Sequence, residues 1–290
     1  MTRSLLELTK PFLSALVLLT TAAGLVIAPG GPPPVLVTLA ALLGTALVIG
    51  AANAMNCWIE RDVDALMKRT RDRPLPAGRL RPRAALLFSA LTAVAGLALL
   101  LAFVNALSAG LAALAFLSYV AVYTPLKRRT AFCTLVGAVP GAIPPAIGWV
   151  AVTGRLDAGA WVLVAILFLW QPAHFLAISW IYREDYARAG MPMLPVLYPT
   201  GPFVGRQIFL WSLALVPVSL LLAPVSKAGV LTSVGAGALS LALALVSIPG
   251  ALRTPTMQGA RRTFLASIAY MFLLLVLLFA DAVLIGRANA

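Results

Sequence analysis

The sequence predicts an all-α integral membrane protein, a bundle of about nine transmembrane helices forming one unit over residues 1–290. Three observations lead there. Apolar residues make up 61% of the chain and charged ones only 11%, against roughly 25% charged in an ordinary soluble domain. Apolar runs recur at 12–28, 35–57, 84–103, 105–124, 132–152, 160–181, 208–223, 229–248 and 265–284, each long enough to approach or cross a ~30 Å hydrocarbon layer. The cations are also one-sided. With the N-terminus in the cytoplasm, nineteen of the 22 Lys and Arg residues fall on cytoplasmic segments, and only Arg155, Lys227 and Arg287 fall outside. That bias supports the nine-span count and this orientation, with the C-terminus then expected outside.

Taken in order, the first run follows a short basic segment but lacks a clear cleavage site and opens a series of further spans. It is therefore read as a retained span. No Arg- and Ser-rich transit segment precedes it, which points to a prokaryotic inner membrane. The runs on either side of Asn105 read as one hairpin or as two helices, and the run at 208–223 is short and carries Pro217. A net charge of +13 would suggest nucleic acid in a soluble chain. Here the cations follow the spans, so the expected partner is the lipid bilayer and no nucleic acid. Cys57 and Cys133 have no metal-site or disulfide spacing. Asp157 reads as a helix N-cap, and Asp281 has no evident partner.

Chemistry is sought where polar residues enter spans that normally exclude them. Asn53, Asn56, Glu60 and Asp64 are spaced three, four and four apart, which puts them on one helical face at the cytoplasmic end of the second span. Asp62 points elsewhere. The stripe reads either as an interfacial helix ending or as oxygen ligands for Mg²⁺, which shares carboxylates with substrate phosphates. The following loop carries Lys68, Arg69, Arg71 and Arg73, with Pro74 and Pro76 turning it back over the stripe, and the next cytoplasmic loop carries Lys127 and Arg128. These cations suit a phosphate group, and they equally serve topology and anionic lipid. The run GAVPGAIPPAIGW interrupts the fifth span, either lining a cavity or forming a packing kink. At the end of the sixth span Gln171, His174, Tyr182 and Asp185 share one face. His174 is the chain's single histidine, readable as structural or functional, and Asp185 is a candidate second carboxylate for the metal.

The segments LTKP (8–11), NAMNCWIERDVDALMKRTRDRPL (53–75), YTPLKRRT (123–130) and WQPAHF through MLPV (170–196) resemble the intramembrane prenyltransferases of the UbiA superfamily, and within it the heme-farnesylating branch. The resemblance implies a nine-helix bundle with a cytoplasmic-side active-site pocket, farnesyl diphosphate and heme B as substrates, Mg²⁺ as cofactor and a downstream heme A synthase as partner. It implies catalytic roles for Asn53, Asn56, Glu60, Asp64 and Asp185, with Asn56, Glu60, Asp64 and Asp185 on the metal. Diphosphate would fall to Lys68, Arg69, Arg71, Arg73, Lys127 and Arg128, and the acceptor to Gln171, His174 and Tyr182. Three positions depart from the family pattern: Glu60 replaces the usual Asp, Cys133 the usual Asn, and Ala173 the usual second Pro before His. Relatives acting on aromatic acceptors would carry a second Asp-rich motif in place of WQPAHF and AGMPMLPV. A transporter would show paired broken helices, whereas only one strong Pro/Gly interruption is present.

Overall fold

The computed structural model describes residues 1–30, 33–225 and 229–288. Of the cations expected outside, Lys227 and the side chain of Arg287 lie outside the described residues. The chain opens with α1 (Thr2–Leu8), which meets α2 (Pro11–Ile27) at 52°. Lys10 makes the bend with φ 49°, in the left-handed region. Pro11 favours this break, because proline suits the first position of a helix and disfavours the helical conformation of the residue before it.

The next span is α3 (Val35–Ile59), which stops before Glu60 and restarts as the single turn α4 (Arg61–Asp64). Beyond a loop come α5 (Pro82–Phe103) and α6 (Ala106–Leu117), separated at Asn105. Asn105 Oδ1 accepts the Ser108 N–H at 2.7 Å and its Nδ2 donates to Val150 O at 3.0 Å, so this pair is two helices with a side-chain cap between them. A π-helical turn at Ser118–Tyr123 and the short α7 (Thr124–Leu126) complete that span. The fifth span is broken into α8 (Cys133–Ala142) and α9 (Pro144–Thr153), where Pro144 and Pro145 remove successive N–H donors. Then follow α10 (Ala158–Ile181), α11 (Arg183–Arg188), α12 (Leu194–Leu197), α13 (Phe203–Leu220), α14 (Leu222–Val225), α15 (Val230–Leu252) and α16 (Met257–Ala288).

Among the described residues eight helices are long and apolar enough to span a bilayer, and the bent α1–α2 pair makes a ninth. Two spans begin earlier than hydropathy suggests, at Phe203 rather than 208 and at Met257 rather than 265. Their first two turns carry Arg206 and Arg261–Arg262, and the helix continues into the polar interface where an apolar run cannot reveal it. Asp157 caps α10 as expected, accepting the Ala160 N–H at 3.4 Å. Asp281, by contrast, has a partner: its carboxylate accepts the Gly229 N–H.

Small residues let the helices approach closely. A Cβ on Gly96 of α5 would stand 2.8 Å from Gly44 O of α3, and a Cβ on Gly148 of α9 would collide with Thr21 O of α2. The most apolar window of α5 is 22% buried, against 67% for α8–α9 and 61% for α10. The broken span and α10 are therefore the centre of the bundle, while Leu87, Leu91 and Val94 face outward. At one end the connecting segments are tied together by Arg79–Glu7 at 2.9 Å, Arg128–Asp62 at 2.6 Å, Lys68 N–H to Asp185 at 3.2 Å and Gly201 N–H to Thr254 at 2.8 Å. These are the segments that the cation bias assigns to one side of the membrane.

Candidate active site

A buried polar cluster forms where α3 ends. Glu60 sits one residue past its last turn and is 3% exposed. Lys127 Nζ lies 2.9 Å from Glu60 Oε1 and 3.0 Å from Oε2, and Asn56 Nδ2 donates to Oε2 at 2.9 Å. Asn56 Oδ1 accepts from Lys10 Nζ at 3.1 Å, and its amide also reaches Thr124 Oγ1 at 3.2 Å. One turn on, Arg73 Nη1 spans both oxygens of Asp64 at 2.9 and 2.7 Å, while Thr70 Oγ1 donates to Asp64 O at 2.8 Å. The loop after α4 therefore folds back over the two carboxylates.

Burial on its own would raise the Glu60 carboxyl, but Lys127, then Lys10 and Asn56, hold it below the usual glutamate range. Burial would likewise lower the Lys127 ammonium, and Glu60 with the tyrosines holds it well above the usual range. For Arg73 the order is the same: burial opposes the charge and Asp64 outweighs it. All three groups are thus ionised at neutral pH, each carboxylate neutralised by a cation of the chain.

Below the cluster lies an apolar pocket walled by α2, α3, α6, α8–α10 and α16. Asn53 and Tyr123 line its polar end; Gln171 and His174 line it from α10. Pro140, Gly141 and Pro144 line it as well, so the broken span does border a cavity. Gln171 Nε2 braces that break, donating to Ala138 O at 3.0 Å and Leu167 O at 3.2 Å. The π-helical turn puts two successive turns of aromatic side chain on the pocket, Tyr119 and Tyr123, with ring centroids 5.2 Å apart. Lys127 Nζ sits 4.7 Å over the Tyr123 ring, joining the pocket to the polar cluster.

The four-residue stripe is thus divided. Asn56, Glu60 and Asp64 gather in the cluster, whereas Asn53 turns to the α1–α2 break and donates to Thr9 O at 3.3 Å and Ser14 Oγ at 3.1 Å. Of the cations, Arg73 and Lys127 are inside the cluster. Arg128 holds Asp62 and Ile59 O at its edge, and Lys68, Arg69 and Arg71 are exposed on the loop.

Two expectations need correction. Asp185 does not join Glu60 and Asp64, and among the described residues no three of His, Cys, Asp and Glu come together as a metal site. Asp185 instead accepts the Lys68 and Arg69 N–H groups at 3.2 and 3.4 Å and Arg188 Nη1 at 2.7 Å. Against the effect of burial, these contacts hold its carboxyl below the usual aspartate range. The cause is the break at Tyr182, where α10 ends and α11 turns its acid toward the basic loop. For the same reason Tyr182 leaves the face of Gln171 and His174: it is 38% exposed, and the Arg69 guanidinium stacks 4.8 Å over its ring. Cys133 is buried with Sγ 3.7 Å from Met193 Sδ and does not line the pocket.

Sequence reasoning passed over Lys10, Thr124, Tyr119 and Tyr123. Lys10 had a usable signal, a cation directly before a helix-starting proline at a membrane surface. The tyrosines had none, because their shared orientation depends on the π-helical turn.

Comparison with known proteins gives one consistent result. A family model described as the UbiA prenyltransferase family matches residues 17–276. The protoheme IX farnesyltransferase of Anaeromyxobacter sp. (strain Fw109-5) is 50% identical over 281 residues, covering 97% of this chain and 94% of the relative. That of Gloeobacter violaceus is 45% identical over 282 residues, covering 96% and 91%. Among solved structures, a digeranylgeranylglyceryl phosphate synthase superposes with a TM-score of 0.77 at 17% identity, over 97% of this chain and 98% of its own. A UbiA homolog from Archaeoglobus fulgidus bound to GPP and Mg²⁺ gives 0.71 at 17% identity, over 96% and 99%. At such identities these two speak for the fold alone.

Proposed function

Since the chain belongs to the UbiA prenyltransferase family, we propose that it transfers the farnesyl group of farnesyl diphosphate to a vinyl group of heme B, with addition of water, giving heme O and diphosphate. The observation that carries this reading is a cluster of carboxylates and cations opening onto an apolar pocket, in a chain alike along its length to protoheme IX farnesyltransferases.

The chemistry follows from that division. The C1–O bond of farnesyl diphosphate breaks with its electron pair passing to diphosphate. Lys127, Arg73 and Lys10 stand where the leaving charge collects, and Arg69, Arg71, Lys68 and Arg128 extend the positive surface around it. The farnesyl chain lies in the apolar pocket, where Tyr119 and Tyr123 face the allylic cation and the walls keep water from it. A vinyl carbon of heme B, presented from the side of Gln171 and His174, attacks C1. The cation left on the neighbouring vinyl carbon takes water, whose proton passes to the released diphosphate.

Mg²⁺ fits the residues present. Asn56, Glu60 and Asp64 offer the hard oxygen donors it prefers, and buried Glu60 Oε1 has an ion-pair neighbour but no hydrogen bond. When bound, the ion neutralises charge developing on the diphosphate. Asp185 serves by anchoring the loop that carries Lys68, Arg69 and Arg73.

The chain is a multi-pass membrane protein. We place it in the cell inner membrane with its N-terminus in the cytoplasm and its C-terminus outside, supported by the cation bias. Its product would pass to a downstream heme A synthase. The test is expression in a strain lacking heme O, with chromatography of extracted hemes. A heme O peak is expected; its absence, with prenylation of an aromatic acid instead, would overturn the proposal.

A further inference from the structure

His174 is held in one orientation and one protonation pattern by a single residue of α16. Its Nδ1 lies 2.8 Å from Ser267 Oγ. The Ser267 hydroxyl is already committed as a donor to Phe264 O at 2.6 Å. A hydroxyl has one hydrogen, so Nδ1 must be the donor to Ser267 Oγ. With no acceptor facing Nε2 in the apolar cavity to hold a second ring proton, the imidazole is the neutral Nδ1–H tautomer and Nε2 carries a bare lone pair. Among the described residues Nε2 has no hydrogen-bond partner, and His174 lines the pocket. The ring is further fixed by stacking on Trp170 at 4.6 Å and by Phe264 at 5.1 Å. Trp170 is pinned in turn, its Nε1 donating to Ser267 O at 2.8 Å.

A neutral imidazole with one nitrogen donating to a fixed oxygen and the other bare in an apolar cavity is the arrangement of a metal-ligating histidine with its supporting oxygen. Gln171, the neighbouring polar group on this wall, has its amide N–H groups occupied by Ala138 O and Leu167 O. Building on the reaction proposed above, we propose that His174 Nε2 binds the iron of the heme substrate axially, and that Ser267 is the positioning residue that sets the tautomer and aims the ring. An axial bond fixes the height and tilt of the porphyrin while leaving its vinyl edge free to meet farnesyl C1.

The chain contains one histidine, which makes the test specific. The full-length protein, purified without a histidine tag, is labelled with ¹⁵N-histidine, placed in lipid nanodiscs and loaded with heme B. Resonance Raman spectra of the ferrous complex should show an iron–nitrogen vibration that shifts with the label. His174→Gly should lose that band and regain one on addition of free imidazole. Ser267→Ala should weaken heme binding about 10- to 100-fold, whereas Ser267→Thr, which keeps the hydroxyl, should restore both band and affinity. Heme bound and converted to heme O with no label-sensitive band would overturn the ligation and leave the reaction standing. Protein that neither binds nor farnesylates heme overturns both. Because the isotope experiment uses the unmutated chain, a Ser267 variant that fails to fold leaves the test intact.

Discussion

Replacing Lys127 with Met tests whether the Glu60–Lys127 pair is the electrostatic keystone of the site. The two side chains are 4% and 15% exposed and meet at 2.9 Å. Removing one partner of a buried ion pair costs about 3–5 kcal/mol, because the other charge is left without a counterion. Asn56 still donates to Glu60 and Lys10 still acts on it, so the lower end applies, ~3 kcal/mol or about 100-fold in the folded-to-unfolded ratio. The double variant Glu60→Gln, Lys127→Met removes both charges and should return to within ~1 kcal/mol of the wild type, since apolar replacement of a buried pair is often neutral. Denaturation of the nanodisc-held protein, followed by tryptophan fluorescence with chelator present, measures all four corners of the cycle. The pH dependence has a definite sign. Glu60 is held below its ordinary value of 4.5, so its contribution is present above that pH and is lost as pH falls through the depressed native value. The Lys127→Met deficit should therefore shrink toward low pH. Additive single effects, with coupling below ~0.5 kcal/mol, would refute the keystone role.

Asp185→Asn should raise the KM for farnesyl diphosphate far more than it lowers kcat, because it loosens the Lys68–Arg69 backbone anchor without touching the reacting atoms; an unchanged KM counts against the anchor. Asp64→Ala should abolish heme O formation while folded protein stays in the membrane, and the cost in stability should fall below ~3 kcal/mol because Arg73 is 27% exposed and can be solvated. Gly141→Ala places a Cβ 2.7 Å from Gln171 Cδ and should cost ~1–3 kcal/mol, measurable in the same unfolding assay; wild-type stability would show that Gln171 has room to move. Cysteines placed at Gly78 and Arg129 should resist impermeant thiol reagents in intact cells and react in inverted vesicles, against a low background because Cys57 and Cys133 are buried.

Much of the fold was legible because bilayer physics leaves few choices. Apolar length gave the spans, and the expected cytoplasmic loops are tied together at one end of the bundle. The polar interface is where that reading lost precision: α13 and α16 begin in segments containing Arg206 and Arg261, which a hydropathy criterion assigns to loops. Within the site, the Asn56–Glu60–Asp64 grouping was readable from helical periodicity, which continues across the short break at Glu60. Asp185 and Tyr182 were misplaced for the opposite reason. Periodicity was carried across Tyr182, where φ −105° and ψ 22° end the helix and redirect everything after it. Ser267 was beyond reach, since its meeting with His174 is a contact across 93 positions that nothing local encodes.

The cluster also explains how a site rich in charge persists next to hydrocarbon. Unpaired, buried Glu60 and Asp64 would each carry a desolvation penalty of several kcal/mol. Lys127 and Arg73 remove that penalty in the absence of ligand, and both arrive from loops rather than from the carboxylates' own helix. A diphosphate entering the cluster competes with the carboxylates for these cations, so its binding must exchange one set of ion pairs for another. Loop attachment suits this exchange, because a loop can shift a cation by a few ångströms without displacing a packed span. The apolar pocket makes no such exchange, its walls being spans locked at close helix crossings such as Gly148 on Thr21. Adaptable charge at the membrane surface above a rigid apolar cavity is therefore the division of labour that an allylic diphosphate, ionic at one end and hydrocarbon at the other, requires.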